Sequence, residues 1–193
     1  MTERFRNKYR AATTRLYGYD YTRNGAYFVT ICSKKHICYF GDIVVVETGL
    51  RPVSTNSINN FSVENGNNSL NIKLSEVGKI VNECWFDLPN HYSNFILDEF
   101  IIMPNHIHGI ILIQNYTGKK QIHGLSEFVR AFKSFSSRKI HNFQKTTLSE
   151  IWQSRFYDHI IRSENELNRI REYIKANPRN WLNDENYFDP KII

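Results

Sequence analysis

The chain has 193 residues and a mass of 22.9 kDa, which fits one domain with a sizeable hydrophobic core. Apolar residues make up 41% and charged residues 23%, an ordinary globular composition, and no run approaches the ~18 apolar residues of a membrane span. Lysine and arginine outnumber aspartate and glutamate by 25 to 19, so the net charge is +6, and this basic balance suits a polyanionic partner.

The three cysteines, Cys32, Cys38 and Cys84, argue against a secreted, disulfide-bonded protein. Their number is odd and no two of them form a Cys-x-x-Cys pair, so neither a disulfide framework nor a thiolate zinc site has the spacing it needs. The N-terminus also lacks the apolar stretch of a secretory signal. We therefore expect a protein of the reducing cytoplasm, without a membrane partner.

The first 25 residues are basic and polar, and arginine and lysine interleave there with tyrosine. We expect residues 1–25 to be an N-terminal arm, which either lies on a phosphate backbone or is a partly ordered terminus. Residues 26–182 carry the patterns of a folded domain, and we expect residues 183–193 to be a C-terminal tail.

The domain opens with a predicted strand over residues 26–32, which are rich in β-branched and aromatic side chains. Residues 38–40 and 43–46 indicate a turn followed by a second extended piece. The segment of about residues 54–71 holds seven asparagines, with serine and glycine beside them. This loop composition predicts a flexible insertion inside the domain.

The middle of the chain predicts one helix and two strands. Residues 74–88 place apolar side chains at helical spacing, and Pro89 is expected to end that helix. Residues 95–103 and 106–113 predict strands, because both runs are apolar and a Pro-Asn turn signal separates them. We expect these two strands to be antiparallel neighbours.

The last third predicts helices over residues 125–141 and 164–176, with short extended segments at 151–152 and 156–161 between them. The final helix opens with a Ser-x-x-Glu capping box. The order β, β, α, β, β, α, β, α favours an α+β fold of the ferredoxin-like or RRM-like type. In its simplest packing, all helices lie on one face of a single antiparallel sheet.

His106 and His108 form the first candidate site. Side chains alternate along a strand, so both imidazoles project from one face while Ile107 packs into the other. Two neutral imidazoles held this close are a chelate for a divalent metal. A lone His-x-His pair is more often structural, but polar residues in the middle of a central strand favour a functional site.

Tyr173 and Asn177 form the second candidate site. They are four residues apart on the last helix, so they stand one turn from each other on the flank of its apolar stripe. A phenol can act as a nucleophile, and an amide oxygen is a hard ligand for Mg²⁺ or Mn²⁺. Taken alone, the pair could also be a tyrosine at the core edge and a helix-ending asparagine.

Basic side chains cluster around the second helix and the segment that follows it. They are either solvated surface residues or a surface that tracks a phosphate backbone. The candidates for DNA binding are Lys34, Lys35, Arg130, Lys133, Arg138, Lys139, Arg155 and Arg162.

Three blocks of the sequence resemble a known family. Residues 102–111 are similar to the His-hydrophobe-His motif of the single-tyrosine HUH transposases, the insertion-sequence transposases. Residues 151–162 resemble the Trp-Gln…His-x-Ile-Arg block of the REP-associated tyrosine transposase branch, and residues 172–178 resemble its Tyr-Ile-x-x-Asn-Pro block. The resemblance covers most of residues 20–182 in the family's order.

The resemblance implies a ferredoxin-like single-tyrosine transposase domain over residues 26–182 that acts on single-stranded or hairpin DNA, usually as a homodimer. His106 and His108 would be metal ligands for Mg²⁺ or Mn²⁺, and Asn177 would be the third protein ligand. Tyr173 would be the nucleophile that cleaves and rejoins DNA through a 5′-phosphotyrosine link. Such an enzyme would work at the nucleoid, in the cytoplasm.

Two other functions fit the same residues. A non-catalytic nucleic-acid-binding module could keep this sheet and its basic surface. A metal phosphodiesterase could use water in place of a tyrosine nucleophile. Only the transposase would become covalently attached to DNA, so an adduct separates the three.

Overall fold

The computed structural model describes residues 4–5, 8–9, 15–47, 68–115, 123–146 and 150–187. Its strands are β1 (Arg4–Phe5), β2 (Lys8–Tyr9), β3 (Gly25–Cys32), β4 (Gly41–Glu47), β5 (Asn68–Leu74), β6 (Phe95–Ile102), β7 (His106–Ile113) and β8 (Tyr157–Ile161). Its α-helices are α1 (Glu76–His91), α2 (Leu125–Gln144) and α3 (Glu164–Ala176), and 3₁₀ helices span Lys34–His36 and Asn177–Asn183.

The main sheet has four antiparallel strands in the order β6-β7-β3-β8. Along the chain these strands and the helices between them run β3-α1-β6-β7-α2-β8, which is the ferredoxin-like arrangement. The predicted α+β fold with an antiparallel sheet is therefore confirmed. No helix within the described ranges is long and apolar enough to cross a membrane.

The two faces of the sheet carry different cores. The larger core includes Tyr27, Val29 and Ile31 of β3 and packs under α1 and α2. The next residues along β3 and β7 point to the other face, where Phe28 and Ile110 pack against α3. The structure thus differs in one respect from the expectation that all helices share a face. The cause is that this second face also has apolar side chains that need cover.

The residue directly after the histidine pair has to be a glycine, for steric reasons. Gly109 faces α1, and a Cβ atom there would lie only 2.5 Å from the ring of Trp85. Trp85 is fully buried, stacks on Phe100 at 4.5 Å and meets Phe128 edge-on. The absence of a side chain at Gly109 therefore lets the indole of Trp85 approach the backbone of β7. This close contact packs α1 directly against that strand.

Two predicted loop or helix boundaries differ in the structure. β4 and β5 form a separate hairpin, and β5 begins at Asn68, so the end of the Asn-rich segment is a strand; residues 54–67 lie outside the described residues. α1 continues through Pro89 to His91. A proline in the last turn removes only one backbone hydrogen bond, so it does not have to end the helix there.

The capping box of α3 is also rearranged. Ser163 Oγ accepts a hydrogen bond from the N–H of Glu166, as predicted. The Glu166 carboxylate, however, accepts the N–H of Arg162 at 2.7 Å and contacts Nε2 of His159 at 2.8 Å. Glu166 thus joins the start of α3 to β8.

An ion pair fixes the outer side of α3 to the sheet. The register between β6 and β7 shifts between Leu97 and Phe100, at the bulge that contains Asp98. Arg171 of α3 donates to both carboxylate oxygens of Asp98, from Nε at 2.9 Å and from Nη2 at 2.5 Å. This hydrogen bonding lowers the pKa of Asp98 below its ordinary value.

Asp98→Asn should destabilise the protein by about 1–3 kcal/mol near neutral pH, because it removes a charge-assisted, two-point hydrogen bond. Since the folded pKa of Asp98 is lowered, the stability this pair contributes exists above the ordinary aspartate pKa and disappears as the pH falls through the folded value. Urea unfolding at neutral and strongly acidic pH measures both effects.

The neighbouring Glu99→Gln is the control, because Glu99 meets the more exposed Lys175 at 3.5 Å. Its effect should stay below about 1 kcal/mol. Equal losses for the two variants, or a loss for Asp98→Asn that persists in strong acid, would contradict the assignment.

Candidate active site

The histidine pair lies on the sheet face that α3 covers. His106 and His108 are almost fully buried, at 0% and 2% exposure, and they stand opposite Cys32 and Thr30 of β3. Their Nε2 atoms are 3.0 Å apart. Both imidazoles therefore project from the same face of β7 toward one point, as the alternation of side chains along a strand predicts.

Asn105 fixes the tautomer of His106. The Nδ2 atom of Asn105 donates to the carbonyls of His36 at 3.1 Å and Asn186 at 2.9 Å, so its Oδ1 remains as an acceptor. Nδ1 of His106 lies 2.8 Å from that oxygen and donates to it. Nε2 of His106 therefore presents a lone pair to the site.

The hydrogen bond with Thr30 is compatible with either tautomer of His108. The Thr30 hydroxyl lies 2.9 Å from Nδ1 of His108 and can donate to that nitrogen or accept from it. With Nδ1 unprotonated, Nε2 of His108 carries a proton and donates it to Nε2 of His106. With Nδ1 protonated, two lone pairs face each other, an arrangement that a cation between them would stabilise.

Asp184 is the third group of the cluster, and it is not among the residues that the sequence patterns predict for the site. One ligand atom from each of His106, His108 and Asp184 lies within 4.8 Å of the others. No spacing rule could identify Asp184, because it belongs to the segment expected to be a tail. It reaches the site only because the 3₁₀ helix Asn177–Asn183 turns the chain back over the histidines.

The charge states of the cluster suit a cation. Burial lowers the pKa of both imidazoles below the ordinary histidine value, and that of His106 falls furthest, so both are neutral at pH 7. Burial acts to raise the pKa of Asp184, but its contacts with the two histidines outweigh this and hold it at about 2. The site therefore combines two neutral imidazoles with one carboxylate.

Tyr173 stands at the edge of the cluster. Its hydroxyl lies 3.4 Å from Nε2 of His108, and its side chain is half exposed. Burial raises the pKa of Tyr173, and a hydrogen bond with the Asn177 amide partly opposes this rise. The phenol is thus protonated at neutral pH. It lies next to the imidazole of His108 and is accessible to solvent.

Asn177 is buried at 2% exposure, directly after α3. Its Oδ1 atom is buried without a hydrogen-bond partner. A buried, unpartnered amide oxygen is costly, and it needs a partner such as a cation. The structure thus brings both predicted pairs to one place, with Tyr173 beside His108 and Asn177 beside Tyr173.

The donor set fits a divalent cation. Two imidazole nitrogens of His106 and His108 and a carboxylate oxygen of Asp184 lie close together. The Asn177 amide, beside Tyr173, has a further oxygen without a hydrogen-bond partner. Imidazole with carboxylate and amide oxygens is a ligand mixture that Mn²⁺ accepts readily and that Mg²⁺ tolerates. Both ions are therefore compatible with the residues present.

The structure divides the predicted DNA-binding residues between several places. Lys34, which pairs with Glu150, and the exposed Lys35 follow β3 at the end where the histidines lie, and the exposed Arg155 precedes β8 at that same end. Arg162 follows β8 at its opposite end. The remaining exposed members lie on α2, over the other face of the sheet, and are Arg130, Arg138 and Lys139.

Lys133 has a structural role that the sequence did not indicate. Its ammonium donates to the carbonyls of Gln153 at 2.8 Å, Ser154 at 3.5 Å and Arg155 at 3.0 Å, and it lies 5.6 Å from the ring centroid of Phe156. Burial lowers the pKa of Lys133 to about 8. Because its donors are engaged, Lys133 holds the segment before β8 in place and does not offer an open cation to phosphate.

Comparisons with known proteins agree with this geometry. The family described as transposase IS200 like matches residues 75–177, a range that contains both histidines, Tyr173 and Asn177. A Haemophilus influenzae protein named only as uncharacterized is 30% identical in an alignment 191 residues long, and the match covers 91% of this chain and 92% of the relative.

Among solved structures, one of a REP-associated tyrosine transposase bound to a REP hairpin has a similar fold. The TM-score is 0.54 at 17% sequence identity, and the match covers 86% of this chain and 73% of that one. At 17% sequence identity, this match is evidence that the two chains share a fold.

Replacing His106 and His108 together with alanine should abolish Mn²⁺ binding, because both nitrogen donors are lost. Asn177→Ala and Asp184→Asn should each weaken binding at least about tenfold by removing an oxygen ligand or a nearby charge. Calorimetric titration of Mn²⁺ measures the affinity. Binding should also weaken in acid, since a protonated imidazole cannot ligate, but only below the ordinary histidine pKa because both pKa values are lowered.

His91→Ala serves as the control, since His91 pairs with Asp87 on the surface of α1. It should bind Mn²⁺ as the unmodified protein does. Undiminished binding in the double histidine variant would contradict the site, and undiminished binding in both oxygen-donor variants would contradict the ligand set.

Proposed function

The chain belongs to the IS200-like transposase family, and from this premise we propose that it is a metal-dependent transposase and endonuclease for single-stranded DNA, of the REP-associated tyrosine branch. One observation carries the proposal: the Tyr173 hydroxyl lies 3.4 Å from the buried His106–His108 pair, at Nε2 of His108. A potential nucleophile beside a metal chelate is the arrangement that a phosphoryl-transfer enzyme needs.

In the proposed reaction, the Tyr173 oxygen attacks the phosphorus of the scissile phosphodiester. A bond forms between that oxygen and phosphorus, and the bond from phosphorus to the 3′ oxygen breaks, which leaves a 5′-phosphotyrosine and a free 3′-OH. The phenol proton passes to solvent through the exposed side of the ring, and the leaving oxygen takes up a proton. Attack by another 3′-OH reverses the steps and joins the strands without a nucleotide cofactor.

Each residue of the site has a proposed task. A divalent cation held by His106, His108 and an oxygen ligand would polarise the scissile phosphate. The Asn177 amide lies beside the phenol, where it opposes the rise that burial causes in the pKa of Tyr173, and it would help to orient the attacking oxygen. Because α3 carries Tyr173 and Asn177 follows it directly, the same docked helix positions both groups.

The proposed substrate is single-stranded DNA with a hairpin. The net charge of +6 favours a polyanion, and the exposed Lys35 and Arg155 lie at the end of the sheet where the histidines are. The basic face of α2 is on the other side of the sheet, so it would contact DNA away from the reacting phosphate. We also propose that the enzyme works as a homodimer at the nucleoid.

Tyr173→Phe should fold and bind DNA normally but form no covalent adduct, since it removes only the attacking oxygen. The assay is a denaturing gel after incubation with the flanking genomic DNA as single strands and Mn²⁺. DNA labelled 3′ of the nick should migrate with the protein, because the tyrosine holds the 5′-phosphate. EDTA should abolish the adduct.

Tyr92→Phe is the matched control, because Tyr92 packs on Phe95 and His123 beneath the other face of the sheet. It should form the adduct as the unmodified protein does. Trypsin cleaves after Arg171 and Lys175, so mass spectrometry should find the DNA on the short peptide that contains Tyr173. DNA on another peptide, or a reversed label pattern, would refute the assignment, and nicking without an adduct would favour the water-using phosphodiesterase.

Hairpin-bearing single strands should bind more tightly than a blunt duplex of equal length. Affinity should fall steeply with salt, because each bound phosphate releases counterions. Lys35→Ala and Arg155→Ala should each reduce the slope of log K against log salt by about 1, whereas Lys79→Ala, on α1, should not. Equal affinity for duplex and hairpin strand, measured by fluorescence anisotropy, would argue against the proposed substrate.

A further inference from the structure

A groove beside Tyr173 is not used by the chemistry above. It has a volume of about 330 Å³ and lies between β8 and α3. Phe28 and Ile170 form its apolar walls, and its other lining residues are Tyr157, His159, Glu166 and Arg169. The groove thus combines an apolar floor with aromatic and charged side chains.

Strand register places this groove next to the reacting groups. His108 of β7 pairs with Thr30 of β3, and Thr30 pairs with Tyr157 of β8, so these three side chains form a row on one face. The ring of Phe28 lies between the groove and the reacting groups. Its centroid is 6.3 Å from that of Tyr157 and 6.1 Å from that of Tyr173, and both ring pairs meet edge-on. Phe28 is therefore the wall shared by the groove and the nucleophile.

Tyr157 is the most accessible aromatic side chain of the groove, at 46% exposure. It lies at the start of an edge strand, so nothing in the described sheet covers its outer side. A half-exposed ring held edge-on by a buried phenylalanine is a fixed surface on which another flat ring can stack.

The charged residues of the groove leave one cation facing solvent. Glu166 is occupied, since its carboxylate contacts His159 and accepts the N–H of Arg162. Arg169 is exposed at the rim. Arg169 also acts electrostatically on Glu166, whose pKa it helps to lower. A ligand of the groove would therefore meet an aromatic surface, apolar walls and an exposed guanidinium at the rim.

We propose that this groove binds one unpaired nucleobase of the DNA next to the scissile phosphate, stacked on Tyr157, with Arg169 against the adjoining backbone phosphate. The inference rests on the proposed function and extends it to how the strand is held. A base within a duplex is already stacked on both faces and cannot enter, so the groove selects single-stranded DNA at the reacting position.

The test separates base binding from phosphate binding and from chemistry. All variants carry Tyr173→Phe, so only non-covalent binding is measured, by anisotropy. The probes are a short single strand of thymidines and an abasic strand with the same number of phosphates. Tyr157→Ala and Tyr157→Leu should weaken binding of the thymidine strand about 5- to 100-fold and leave binding of the abasic strand unchanged.

Tyr157→Trp keeps a ring and should retain the preference for the thymidine strand. Phe86→Ala is the matched control, because it removes a comparably exposed ring, at 55%, from α1; it should leave both affinities unchanged. The inference is overturned if Tyr157→Ala and Tyr157→Leu keep the preference for bases, or if the abasic strand loses affinity equally.

A crosslinking experiment locates the base directly. Thymidine strands carrying 5-iododeoxyuridine, irradiated with the Tyr173→Phe protein, should modify the tryptic peptide of residues 156–162, which contains Tyr157. Crosslinks only to peptides of α2 would refute the groove. This outcome does not depend on catalysis, so it can fail while adduct formation by the unmodified protein succeeds, and the reverse also holds.

Discussion

The structure depends on how β7 divides its side chains between two faces. Ile107 and Ile111 are fully buried in the larger core, while His106 and His108 are buried on the opposite face. Imidazoles removed from water need a partner for every nitrogen. The surrounding chain provides these partners: a turn asparagine, a threonine on β3 and a segment that returns after α3 all converge on one pair of rings.

The same division explains why α3 is attached as it is. Its core with the sheet is small, since only Leu167 and Ile174 of the helix are buried there. A helix with so few apolar contacts gains orientation from polar ones, and α3 has them at its start, through Glu166, and on its outer side, through Arg171 and Asp98. Tyr173, the proposed nucleophile, is therefore carried by an element whose position is set largely by hydrogen bonds.

Local patterns in the sequence predicted the parts of the site that depend on local geometry. The period of a strand placed His106 and His108 on one face, and the period of a helix placed Tyr173 and Asn177 one turn apart. The position of Asp184 and the backbone carbonyls that accept hydrogen bonds from Lys133 could not be predicted. Both contacts arise where the chain returns to an element that is distant in sequence. The face that α3 covers likewise follows from tertiary packing, since its own apolar stripe fits either face.

The choice between the two oxygen donors has an electrostatic consequence. In the proposed site, two neutral imidazoles would leave a divalent cation with its charge of two, and the Asp184 carboxylate would reduce the net charge to one, which a single phosphodiester would neutralise. The unpartnered Asn177 oxygen, if it served as the predicted ligand, would leave that balance unchanged because it is neutral. Asp184 follows Trp181, whose ring lies 5.9 Å from that of His106, so the segment that supplies the carboxylate also shields the histidines from water. Charge balance and dehydration at this site therefore depend on the same stretch of chain, because that stretch lies over the histidines.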